Sequence, residues 1–222
     1  MSLEGLEIVV VGGAGGLGAA SAELLATDGA RVHISSRHRG LRADITLATD
    51  RKRLLDSVAN LYGLVILAGD PARGPMEDAL ARSHALNYEG PILLARDAAE
   101  RMKAQGTHGA IVLFASMQAV ALFPGSTAYA GEKAALLHAA RILAKECRGA
   151  ADIRVNVIAP GVIEAGMAEA SIASGKYQPY ITEGVIPRYG KASDVARAVR
   201  FLLEPDNYIT GQVLSVDGGI TL

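Results

Sequence analysis

The stretch Leu6-Glu7-Ile8-Val9-Val10-Val11-Gly12-Gly13-Ala14-Gly15-Gly16-Leu17-Gly18 joins an apolar run, broken only by Glu7, to five closely spaced glycines. From there a helical period continues to Asp28. Gly29 follows, where a residue without a Cβ suits the left-handed end of a helix. Strand, glycine turn and helix in this order make the first half of a βαβ unit. Glycines let the backbone turn tightly and approach a pyrophosphate, which then sits on the positive N-terminal end of the helix. A glycine cluster alone fits any tight strand–helix turn; the strand before it and the helix after it favour nucleotide binding. Gly12, Gly15, Gly16, Leu17 and Gly18 are therefore candidate phosphate-cradle residues.

Outward from this unit the pattern repeats. Val32–Ser35, Leu64–Leu67, Ala110–Phe114, Ile153–Ile158 and Val213–Val216 are short β-rich runs, and helical periods fit Asp50–Leu61, Glu77–Gln105, Thr127–Arg148 and Ser193–Leu203. Short strands alternating with such helices predict an α/β fold, a single Rossmann-type doubly wound parallel sheet covered on both faces. One connection is too short. Only residues 38–43 separate Arg37 from Asp44, whereas a parallel crossover normally takes a dozen or more. The crossover helix and edge strand after the second strand are thus expected to be shortened or missing.

Length and composition bound the alternatives. The 222 residues, half of them hydrophobic, fit one domain over 1–222 with a sizeable core. Glycine, at 25 residues, is above the usual share, with no repeat or low-complexity tract to account for it. Charge nearly cancels, 22 Lys and Arg against 23 Asp and Glu, which argues against a nucleic-acid binder or a membrane-surface protein. The basic triplets Arg37-His38-Arg39 and Arg51-Lys52-Arg53 come without an aromatic platform for bases. One cysteine, Cys147, excludes an intramolecular disulfide and reads as a small buried group. The five histidines show no metal-ligand spacing, so no metal is expected. No apolar run is long enough to span a membrane. Glu4 and Glu7 interrupt the place of a signal peptide, so a cytoplasmic location is expected.

A second constellation lies further on. Tyr129-Ala130-Gly131-Glu132-Lys133 places a phenol and an ammonium four apart on one face of a predicted helix. Ser116 stands thirteen residues upstream of Tyr129, just after a predicted strand. Separately these read as a half-buried tyrosine, a solvated lysine and a turn serine. Together, and downstream of a glycine loop, they point to proton chemistry beside a bound nucleotide.

In these features the chain resembles the short-chain dehydrogenase/reductase family over nearly its whole length. Ser116, Tyr129 and Lys133 stand at that family's catalytic serine, tyrosine and lysine, and Asn87 in Leu86-Asn87-Tyr88 matches its fourth active-site residue. Ile153 to Gly161, ending in Ala159-Pro160-Gly161, resembles the segment that leads to the nicotinamide. Ile209-Thr210-Gly211-Gln212 and Val216-Asp217-Gly218-Gly219 resemble the C-terminal signature. The resemblance implies an oxidoreductase moving a hydride between a nicotinamide cofactor and a ketone or secondary alcohol, in the manner of a carbonyl or β-ketoacyl reductase. Tyr129 would exchange the proton, Ser116 would align the carbonyl oxygen, and Asn87 would hold a water linking Lys133 to solvent. The Lys133 ammonium would favour the Tyr129 phenolate. Ala68, Gly69, Pro160, Gly161 and Ile163, with Tyr129 and Lys133, would contact the cofactor, and Asp44 and Ile45 would meet the adenine. The family's homotetramer or homodimer would be built on the helices of Asn87 and Tyr129. The chain also departs from the pattern: Val11, Ile66, Leu67 and Ala165 replace hydroxyl or amide residues, which keeps open a catalytically weak NADP-binding sensor or regulator.

Cofactor choice can be read from charge. The acidic residue that grips a ribose 2′-hydroxyl is expected about 20 residues past Gly16. That position is Ser36, and Arg37 follows it, with Arg39 and Arg42 close behind. A guanidinium holds a 2′-phosphate by paired, charge-assisted hydrogen bonds, so NADP(H) is expected. Residues 164–183, with Met167, Tyr177 and Tyr180, are the expected substrate loop.

Overall fold

The computed structural model describes residues 2–36, 38 and 40–222. Seven parallel strands form one sheet in the order β3-β2-β1-β4-β5-β6-β7. They are β1 (Glu7–Val11), β2 (Arg31–Ser36), β3 (Leu41–Arg42), β4 (Leu61–Ile66), β5 (Ala110–Phe114), β6 (Arg154–Pro160) and β7 (Val213–Val216). The helices are α1 (Gly16–Thr27), α2 (Ala48–Asp56), α3 (Met76–Ser83), α4 (Gly90–Gln105), α5 (Thr127–Glu146), α6 (Glu169–Ala173), α7 (Gln178–Thr182) and α8 (Ala192–Leu203).

The two-residue period of a strand sorts each run between the sheet's two faces. On β1, Val9 and Val11 join a core formed with α2, α4 and α5. Ile8 and Val10 join the opposite core, with Leu25 of α1 and Val195 and Val199 of α8. β5 divides likewise, Ile111 and Leu113 to one side, Val112 and Phe114 to the other. Burial on both faces explains why these strands read as unbroken apolar runs.

The short crossover is as expected. β2 and β3 are separated by positions 37–40, with no room for a helix, and β3 is a two-residue stub pairing Ser35 with Leu41 and Ser36 with Arg42. Other expectations need correction. The helical period over Asp50–Leu61 overran its helix: α2 stops at Asp56, and Leu61 opens β4 instead. The predicted helix Glu77–Gln105 is α3 and α4 joined through a π-helical stretch, His84–Glu89, which carries Asn87. The Arg51-Lys52-Arg53 triplet is consumed locally. Arg51 is buried, donating to the Ile45 carbonyl at 2.8 Å, while Lys52 pairs with Asp56 and Arg53 with Asp50. Among the described residues, no helix is long and apolar enough to cross a membrane, and no cluster of metal-ligating side chains occurs.

Candidate active site

The strands deliver the candidate residues to one edge of the sheet. β1 runs into the glycine loop, β4 into Leu67-Ala68-Gly69, β5 into Ser116 and β6 into Gly161. All are carboxyl ends, and the order reverses between β1 and β4, where α/β sheets place their ligands. A cavity of about 660 Å³ lies there, lined by Gly12, Gly15, Gly16, Leu17 and Gly18 together with Ser116, Tyr129, Lys133, Pro160, Gly161 and Ile163.

The glycine loop fits a phosphate group. A Cβ on Gly18 would lie 2.2 Å from the Gly12 carbonyl oxygen, so only glycine lets the first turn of α1 pack on the loop. Gly15 caps α1 without any side-chain hydrogen bond, which leaves the helix's N-terminal end facing the cavity with backbone alone. The residues present therefore suit a dinucleotide pyrophosphate.

Tyr129 and Lys133 share one face of α5. Lys133 is buried, and its Nζ donates to the Phe114 carbonyl at 2.7 Å. Burial without a carboxylate partner pulls its pKa down to about 8. The Lys133 Nζ lies 5.9 Å from the centre of the Tyr129 ring. Burial pushes the Tyr129 phenol up to about 12, opposed by a hydrogen bond with Ser116 and reinforced by Tyr177. Desolvation is thus the largest influence on the Tyr129 phenol.

Ser116 caps the short 3₁₀ turn Met117–Ala119 by accepting from the Gln118 N–H at 3.2 Å. Asn87 is fully buried, and its amide is committed at both ends. Its Oδ1 accepts from the Asp70 N–H at 3.0 Å, and its Nδ2 donates to the Asp70 carbonyl and to Ser83 Oγ, each at 2.8 Å. Ser83 Oγ in turn donates to the Ala128 carbonyl at 3.2 Å, tying the π-helical stretch to α5 next to Tyr129. A Cβ built on Gly69 would lie 2.7 Å from Asn87 Oδ1 and 3.5 Å from Lys133 Nζ, so only glycine lets Asn87 pack this closely here.

Other expected residues are not part of the cavity lining. Ile45 is buried in the core, against the position a Cβ on Gly90 would take. Asp44 accepts from both the N–H and the hydroxyl of Thr46. Ala68 lies behind Gly12, whose Cβ would sit 2.9 Å from the Ala68 nitrogen. Ser36 closes β2 beside Arg42, and Arg37 lies outside the described residues. Residues 164–183 carry a 3₁₀ turn, α6 and α7, pinned by buried Tyr177 against Met117, Val162 and Ile186. Sequence reading missed Ser83 and the Phe114 carbonyl. Ser83 had a signal, being a polar residue four before Asn87 on the same helical path; the carbonyl had none.

The comparisons with known proteins agree with this fold. A family model described as enoyl-(acyl carrier protein) reductase matches residues 45–221. Carbonyl reductase family member 4 of Danio rerio is 34% identical over 239 aligned positions, spanning 96% of this chain and 97% of the relative. A short-chain type dehydrogenase/reductase structure from Mycobacterium ulcerans is 30% identical with a TM-score of 0.90, over 100% of this chain and 91% of that one. ElxO with NADP bound is 25% identical with a TM-score of 0.86, over 97% of this chain and 98% of that one. On this sheet, this cavity and these likenesses, the chain belongs to the short-chain dehydrogenase/reductase family of nicotinamide-dependent oxidoreductases.

Proposed function

We propose that this protein is an NADPH-dependent reductase of ketones. The observation that carries the reading is the convergence of Ser116, Tyr129 and Lys133 with the glycine cradle on one cavity at the sheet's switch point. Gly12 to Gly18 and the start of α1 would hold the pyrophosphate, Ser36 and Arg37 the 2′-phosphate. Ala68, Gly69, Pro160, Gly161, Ile163 and Lys133 would surround the nicotinamide half. When bound, the cofactor supplies the hydride. Ser116 aligns the substrate oxygen, and Tyr129 gives that oxygen its proton as negative charge develops there. Lys133 then faces a phenolate, and its charge stabilises that anion until a proton returns. The printed names of the zebrafish carbonyl reductase relative and the NADP-bound structure support the substrate class and the cofactor.

The test is a screen of ketones, aldehydes and quinones with NADPH and with NADH. NADPH is expected to be preferred at least about tenfold in kcat/KM, equivalent to about 1.4 kcal/mol. Arg37→Ala is expected to erase most of that gap by weakening NADPH alone. Tight NADPH binding without turnover on any member of the panel would favour the sensor reading instead. Equal use of both cofactors would overturn the assignment to NADPH.

A further inference from the structure

The cavity wall carries charge of one sign. Its lining side chains include Arg73, Lys133 and Lys176, and no aspartate or glutamate. Lys133 lies deep, committed to Phe114. Arg73 and Lys176 are exposed. Neither has a carboxylate partner among the described residues, and Lys176 rests over the Tyr177 ring at 5.5 Å. Nearby Arg82 is already engaged, by Asp70 at 3.8 Å and by the Arg73 carbonyl at 2.5 Å.

Arg73 is presented by a firmly built loop. Asn87 grips both backbone groups of Asp70, and Asp70 Oδ1 accepts from the Ala72 N–H at 2.7 Å. Ala72, at φ 54°, occupies the left-handed region that a residue with a Cβ rarely adopts, and it directly precedes Arg73. The loop that carries this cation is therefore tied to Asn87. Lys176 in turn adjoins Tyr177, whose phenol acts electrostatically on Tyr129. The lining also holds apolar Met76, Ala79, Val162 and Met167 beside polar Gln118, Ser126, Thr127 and Ser171.

We infer that the substrate carries an anion, a carboxylate or a phosphate, remote from its carbonyl, and that Arg73 and Lys176 hold it. This rests on the ketone-reductase reading and names its substrate class. Cations on a cavity wall free of opposing charge attract anions to it, and a guanidinium matches the oxygens of carboxylate or phosphate.

Matched pairs test it. The carboxylate arm compares levulinate with methyl levulinate; the phosphate arm compares acetoacetyl-coenzyme A with acetoacetyl-N-acetylcysteamine. Each is measured by kcat/KM with NADPH and by calorimetric titration onto the NADP⁺-loaded protein. The anionic member of at least one pair is expected to win by about tenfold or more at low salt, with the ratio shrinking as salt rises. The double variant Arg73→Gln, Lys176→Gln is expected to lose most of that ratio while its NADPH dissociation constant stays within about twofold. Parity within both pairs would overturn the inference, and so would a large loss of NADPH affinity, which would assign the two cations to the cofactor. Anion-selective binding without turnover would sink the reductase reading while supporting the anion site.

Discussion

Lys133 shows how much one side chain is asked to hold. Its ammonium is buried with only a carbonyl as partner, and its pKa falls from near 10.5 to about 8. Between those values the unfolded chain binds the proton that the folded protein has released, so stability rises with pH across that window. Relative to Lys133→Met, the cofactor-free protein is expected to gain about 2–3 kcal/mol between pH 7 and pH 10, read by denaturant unfolding at each pH. A difference that stays flat over this range would mean that the lysine is not desolvated in the folded state. The Tyr129–Lys133 pair was legible as a spacing, because four residues on a helix share a face. The sense of the phenol's shift was not, since it depends on how far the surrounding chain excludes water.

At the scale of elements, the π-helical stretch 84–89 is the piece that sequence reading could not supply. The composition of His84-Ala85-Leu86-Asn87-Tyr88-Glu89 fits an ordinary helix, and the wider turn that carries Asn87 leaves no mark in residue type. Its purpose is visible in the contacts: Asn87 holds the Asp70 loop, and Ser83 bridges Asn87 to the Ala128 carbonyl. Ser83→Ala would remove one partner from each of two groups, the Asn87 Nδ2 and the Ala128 carbonyl. It is expected to cost about 1–3 kcal/mol of stability, measured by denaturant unfolding. An unchanged midpoint would show that Ser83 does not anchor this stretch. The glycine loop, by contrast, was fully readable, because strand, loop and helix are contiguous and only glycine tolerates the approach of Gly18 to Gly12. The end of α2 was misread because Leu61 continues a helical period that the chain spends on β4.

For the whole molecule, the apolar helices expected to join subunits are largely spent inside. Ala95, Ala98, Ala99, Leu136, Ala140, Leu143 and Ala144 are buried in the core, and Ile92, Leu93 and Leu137 are only partly exposed. Exposed apolar side chains include Ile142, Phe201, Tyr208 and Leu222, and the outer edge of β7 has no partner among the described residues. Natural proteins cover such edges. Light scattering at micromolar concentration is expected to give at least twice the 23.0 kDa of one chain; a 23.0 kDa species would reject assembly. The central claim, however, concerns what the assembled site does, and Tyr129→Phe tests it most directly. That change keeps the ring and its packing but removes the exchangeable proton. On a ketone that the wild type reduces with NADPH, single-turnover rates are expected to fall at least about a hundredfold, with NADPH affinity unchanged. A variant that reduces the same ketone at the wild-type rate would contradict the account.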